Sequence, residues 1–153
     1  MLNANRPCRR KRLDLTIQGF ARFAAHRLDT RLILHTGRRS GRDERSLRTE
    51  IQRSGVGAQI LVSPELRTTQ PLSEADLNRL YNVGDVGLTT AMGEGWGLTT
   101  FEHAATGAAQ IAPAHTGSAR TVARCDGWHR ESAGRVTLAG DVQARLSPPE
   151  ARA

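Results

Sequence analysis

The sequence predicts an α/β fold, a doubly wound, Rossmann-like parallel sheet in a single truncated domain with an irregular C-terminal tail. Three observations carry that expectation. Short apolar runs bounded by turn residues alternate with segments whose apolar residues recur at helical spacing. Glycines stand where several of these segments stop. A glycine-rich turn within Met92–Glu102 joins one apolar run to an alanine-rich helical segment, the strand–turn–helix order in which such sheets place their ligand loops.

The elements follow in chain order. From Arg12 to His26, Leu13, Ile17, Phe20, Ala21 and Ala24 mark one face of a helix. Arg31–Thr36 reads as a buried strand closed by Gly37. An arginine-rich polar stretch leads to a helical segment near Glu44–Ser54, ended by Gly55 and Gly57, and Gln59–Ser63 is a second strand. Ser73 occupies a helix N-cap, with Asp76 three residues on in an acidic variant of the capping box. The helix it opens, about Glu74–Asn82, presents Leu77, Leu80 and Tyr81. Val86–Thr90 is a third strand, Leu98–Thr106 a helix stopped by Gly107, and Gln110–Ala114 a fourth strand. In this architecture the loops near Arg38, Gly93 and Ala114 converge at the carboxyl ends of the strands. Beyond Arg120 the apolar pattern dissolves, so the expected division is a domain over 1–120 and an irregular or disordered tail over 121–153.

Bulk composition narrows the function classes. With 153 residues one domain can bury a core without disulfides or metals. No apolar run reaches the length of a membrane span, and Met1–Lys11 has no apolar stretch of a secretory signal. Cys8 and Cys125 lie outside any metal or redox spacing and read as unrelated thiols in a reducing cytoplasm. The net charge of +7 is uneven: residues 1–53 hold 14 cations against 5 acids, residues 54–119 hold 2 against 6, and residues 120–153 hold 6 against 4. The acidic centre breaks any continuous basic surface, and six aromatic residues leave few platforms for base stacking, so nucleic acid is not an expected partner. Arg6, Arg9, Arg10, Lys11 and Arg12 taken alone read as a solvated basic run.

The glycine turn carries more specific chemistry. Gly93, Gly95 and Gly97 allow a sharp turn and a close backbone approach to a ligand. The helix after them offers unpaired amides to an anion, and Glu94 and Glu102 can each accept hydrogen bonds from hydroxyl groups. Phosphate together with a polyol is what a nucleotide-sugar presents. Trp96, between two glycines, reads as an aromatic packed under the loop, and His103 as a surface or packing residue.

Segment 77–113, with Leu80-Tyr81, Asp85-Val86, Glu94 and Glu102 in E-x7-E spacing and Gly107 five residues later, resembles the donor-binding half of the retaining GT-B glycosyltransferases of group 1, or family 4, type. Upstream, Arg6 and Lys11 match the arginine and lysine that members of that family carry ahead of the first helix of this domain. The resemblance implies a nucleotide-sugar donor whose diphosphate meets Arg6 and Lys11. It gives Glu94, Lys11 and Arg6 catalytic roles, and Gly95, Trp96, Gly97, Leu98 and Glu102 donor-binding ones. Glu94 would hold the transferred sugar and Glu102 the ribose, and the sugar would pass with retention to an acceptor the sequence does not identify. Such enzymes need no divalent metal and no cofactor.

The chain also departs from that family. The resemblance leads one to expect that the N-terminal acceptor domain and the first strand of the donor domain are absent, and that no closing strands follow in 121–153. No glutamate stands after the strand at 110–114, where the sequence runs His115-Thr116-Gly117-Ser118. A fragment of this kind is expected to have very low transferase activity or none. Two other readings stand beside it. One is a non-catalytic remnant or binding module for a nucleotide diphosphate or other anionic partner. The other is a nucleotide-sugar epimerase on the same fold.

Overall fold

The structure, a computed structural model, describes residues 1–37, 41–63, 72–114, 117 and 136–139. Among the described residues six strands and four α-helices follow one another: β1 (Leu2–Asn3), α1 (Leu13–Ala24), β2 (Leu32–Leu34), α2 (Gly41–Arg53), β3 (Ile60–Val62), α3 (Glu74–Val83), β4 (Val86–Leu88), α4 (Leu98–Ala104), β5 (Ala109–Pro113) and β6 (Val136–Ala139). The strands form one sheet in the order β3-β2-β1-β4-β5-β6. Every pairing from β3 to β5 is parallel, and β6 runs antiparallel against β5. This is the Rossmann strand order, and the direction of winding reverses between β1 and β4.

Two strands correct the sequence reading. The first strand of the sheet is present: Leu2–Asn3 pairs with β2 on one side and β4 on the other, at the centre. Two residues are too few to show a period, and Asn3 is polar, so the segment reads as the start of a basic run. The second is β6, inside the segment expected to be irregular. Its four residues pair with Gln110–Pro113, and four residues flanked by Gly134 and Gly140 carry too little pattern to stand out. The rest of the tail, like the arginine-rich stretch at 38–40, lies outside the described residues.

The core follows from the helical period. Leu13, Ile17, Phe20 and Ala24 of α1 pack with Leu32 and Leu34 of β2, Leu47 of α2 and Ile60 of β3 in one buried cluster. Burying side chains of this size stabilises by about 1.5–3 kcal/mol each, which anchors α1 and hence the loop that precedes it. α3 starts where its cap predicts: Ser73 Oγ accepts the Asp76 N–H at 3.1 Å. Among the described residues no helix is long and apolar enough to cross a membrane.

Candidate functional site

Three loops leave the carboxyl ends of neighbouring strands: residues 4–12 after β1, residues 89–97 after β4, and the segment after β5 that includes Gly117. The first two meet at the reversal in strand order, where a sheet of this kind opens a crevice for ligands.

Buried polar side chains set their base. Asn3 donates to Thr16 Oγ1 at 2.9 Å and accepts from Asn5 Nδ2 at 3.0 Å, and Asn5 Nδ2 also reaches Thr89 Oγ1 at 3.1 Å. Thr90 Oγ1 donates to the Arg12 carbonyl at 2.6 Å and lies 2.8 Å from Thr16 Oγ1. Asn3, Asn5, Thr16 and Thr89 are all buried, where hydrogen bonds of this kind rigidify their surroundings, and Asn5 Oδ1 alone of the four side chains' polar atoms is buried with no hydrogen-bond partner among the described residues. The two loops are thereby tied at their roots before any charge is considered.

Higher up, the same loops are joined by charge. The Met92 N–H donates to the Arg10 carbonyl at 2.8 Å. Arg10 Nη1 donates to the Gly93 carbonyl and stands 3.4 Å from Glu94 Oε2. Lys11 Nζ donates to Glu94 Oε1. The side chains of Lys11 and Glu94 are 13% and 11% exposed, against 55% for Arg10. The ammonium and the carboxylate are therefore the sheltered pair, and Arg10 is its outer clip. From the third loop the Gly117 N–H donates to the Glu94 carbonyl at 2.8 Å. A Cβ at position 117 would lie 2.5 Å from the Gly95 carbonyl oxygen, so the close fit of these two backbones requires glycine there.

Both helices that start beside this junction begin with a left-handed residue: Arg12 at φ 47° before α1 and Gly97 at φ 81° before α4. For Gly97 that conformation is free of strain; for Arg12 it is not. Arg12 is held by Asp14, whose carboxylate takes three hydrogen bonds from the guanidinium at 2.7–3.1 Å. These bonds keep the Asp14 carboxyl below its usual range of protonation. α4 has only seven residues, so its macrodipole is short and the fixed cations supply most of the pull on an anion.

Glu102 is held by different means. Tyr81 on α3 donates its hydroxyl to Glu102 Oε2 at 2.7 Å. Burial, and after it the bond to this carboxylate, raises the Tyr81 phenol well above the ordinary tyrosine range, so it stays a neutral donor. The Tyr81 ring stacks on His103, with centroids 5.6 Å apart and planes at 19°. His103 is buried and donates from Nε2 to the Gly84 carbonyl at 2.8 Å. Burial lowers its proton affinity, so the ring packs as a neutral imidazole.

The residues singled out from sequence thus fall into separate places. Lys11 and Glu94 come together as an ion pair. Gly95, Gly97 and Leu98 lie in the turn and at the start of α4. Arg6 is exposed on loop 4–12 and makes no ion pair among the described residues. Glu102 is bound to Tyr81 and not to either cation. Trp96 remains 47% exposed, so it is not wholly packed under the loop as its flanking glycines predict. The sequence assigns no role to Arg10, Tyr81 or Gly117, although Tyr81 belongs to the Leu80-Tyr81 pair of the motif. An open cleft of about 680 Å³, within the size range of small-molecule sites, is lined in part by the loop at 4–12. Pro7, Cys8, Arg9, Arg12, Asp43 and Met92 are among its lining residues. The Lys11–Glu94 pair is its neighbour and not part of its wall. Among the described residues no cluster of three or more histidine, cysteine or acidic side chains is placed to hold a metal ion.

No protein-family model matches the chain, and no curated protein matches its sequence. Solved structures do match its fold. The N-terminal domain of Candida albicans trehalose-6-phosphate phosphatase superposes with a TM-score of 0.63 at 16% identity, over 80% of this chain and 29% of that one. The C-terminal domain of a glycosyl transferase group 1 family protein, LpcC, from Francisella tularensis gives 0.61 at 19% identity, over 72% and 55%. A UDP-forming α,α-trehalose-phosphate synthase from Burkholderia vietnamiensis gives 0.63 at 17%, over 78% and 30%. At these identities the likeness establishes the fold, and this chain spans between 29% and 55% of each neighbour's length.

Proposed function

We propose that this chain is the donor-binding part of a retaining GT-B glycosyltransferase, which moves a sugar from a nucleotide-sugar to an acceptor. The observation that carries the reading is the Lys11–Glu94 pair at the reversal between β1 and β4. A nucleotide-sugar requires both charges there: cations for its diphosphate and a carboxylate that accepts hydrogen bonds from its polyol. The names of two fold neighbours, a group 1 glycosyl transferase and a UDP-forming synthase, agree with it.

In this reading the diphosphate seats over loop 4–12. Lys11 meets it directly, and Arg6, exposed on the same loop, supplies the second cation. When the bond from the anomeric carbon to the diphosphate breaks, negative charge gathers on the departing nucleoside diphosphate. Cations seated on the diphosphate stabilise that state more than the ground state. Glu94, freed as Lys11 turns to phosphate, accepts from hydroxyls of the transferred sugar, and Glu102 accepts from the ribose. The side chains meet the diphosphate charge, so no divalent metal is called for. A second domain holding the acceptor belongs to this reading, because rate acceleration needs the acceptor oxygen fixed against the anomeric carbon and water excluded. The chain alone is expected to turn over very slowly.

Titration calorimetry with UDP, GDP and their sugars tests the proposal. Binding of at least one nucleotide-sugar, weakened tenfold or more by Glu102→Ala or Lys11→Ala on the scale of charge-assisted hydrogen bonds, is the expected result. No binding of any nucleoside diphosphate by the native chain would leave a non-catalytic remnant as the better description.

A further inference from the structure

We propose that Tyr81 is a positioning residue for Glu102, and through it sets selectivity for the ribose hydroxyls of the nucleotide. This inference rests on the nucleotide-sugar reading above. Glu102 stands on an exposed position of a short helix, where a glutamate samples several rotamers and loses that freedom on binding. A vicinal diol needs acceptor lone pairs in one fixed orientation. Tyr81 supplies the fixing: its hydroxyl takes Glu102 Oε2 at 2.7 Å, leaving Oε1 and the second lone pair of Oε2 for a ligand.

The hydroxyl can do this because its ring cannot move. Tyr81 is 5% exposed and lies against the His103 ring. His103 is in turn tied to the carbonyl of Gly84, the residue that ends α3. Gly84 has no room for a side chain, since a Cβ there would lie 2.8 Å from Leu2 Cβ and 3.1 Å from the His103 ring. A single line of contacts thus runs from the central strand β1 through Gly84, His103 and Tyr81 to the carboxylate. Every member is uncharged until the last, so the carboxylate is oriented without a cation competing with the ligand for it.

The test compares UDP with 2′,3′-dideoxy-UDP, which differ only in the ribose hydroxyls. The native chain is expected to prefer UDP by about tenfold or more, the scale of hydrogen bonds to a charged group. Tyr81→Phe keeps the ring and its stack on His103, and is expected to remove most of that preference while leaving affinity for the dideoxy nucleotide unchanged. Glu102→Gln should produce the same loss with Tyr81 in place, and the double variant should add little to either, so a poorly folded Tyr81→Phe protein does not remove the test. If Tyr81→Phe keeps the full preference while Glu102→Gln loses it, Tyr81 is only a packing residue and the positioning role is overturned, with the nucleotide reading intact. A native chain that binds both compounds equally overturns the ribose role of Glu102 and this inference with it, and one that binds no nucleoside diphosphate overturns the nucleotide-sugar reading as well.

Discussion

Glu94 and Glu102 are separated by eight positions in the chain, yet the molecule holds them by opposite means. Glu94 sits on a glycine turn, with cations from the far end of the chain on both oxygens: Lys11 on one and Arg10 at 3.4 Å from the other. Glu102 sits on a helix, with a neutral phenol on one oxygen and a neutral imidazole stacked behind that phenol. A carboxylate held by cations is available to a ligand only when something else takes those cations. One held by a phenol is available at once. Under the proposed function, the contrast suits a ligand that brings its own anion to Lys11 and only hydroxyl groups to Glu102.

The comparison can be broken most forcefully at Lys11. Lys11→Met takes the sheltered ammonium away from Glu94 while the exposed Arg10 stays in place, and is expected to lower stability by about 3 kcal/mol, read from urea unfolding. Adding Glu94→Gln should restore much of that loss, because the carboxylate that Lys11 balanced is then neutral. A Lys11→Met chain as stable as the native one would show that the pair contributes nothing to the junction. Next in size is Gly117→Ala. Its Cβ would fall 2.5 Å from Gly95 O and 2.7 Å from Glu94 O, so the turn must shift, at a cost of about 1–3 kcal/mol. Nucleotide affinity should fall with it, whereas the Tyr81–Glu102 side should keep its ribose preference.

The smallest effect is expected on the Glu102 side, from acid. Burial holds the folded His103 imidazole below its ordinary proton affinity, so as pH falls through about 6.5 the unfolded chain takes up the proton first. Stability should therefore decline on acidification below that value and be insensitive to His103 above it. His103→Gln should remove this component of the slope. An unchanged slope in unfolding measurements between pH 7.5 and 5.5 would mean that the imidazole is not sheltered as described.

Most of the architecture could be read in advance because its signals are local. The buried face of α1 repeats at helical spacing, Ser73 caps α3, and glycine marks the ends of α2 and α4, so these elements fall within a few residues of their expected bounds. β1 and β6 escaped because two and four residues hold no period; only their partners make them strands. Within the site, Lys11, Glu94 and Glu102 were marked by spacing. The contacts that give them meaning were not, since Arg10 meets Glu94 across 84 positions and Thr16 meets Thr90 across 74. Arg10 looked like one more solvated arginine among its neighbours. Asn3 and Asn5 carry no such mark, because polarity in sequence does not reveal that a side chain will be buried.

The central claim is that the Lys11 ammonium leaves Glu94 for the diphosphate of a nucleotide. Lys11 is the only lysine in the chain, so protein labelled with nitrogen-15 at the lysine side chain gives a single ammonium resonance from that group. Titrating UDP while following this signal by NMR should move it in a saturable manner, to a position that the Glu94→Gln variant also reaches when UDP is bound. Heat of UDP binding with the Lys11 resonance unmoved would contradict the account.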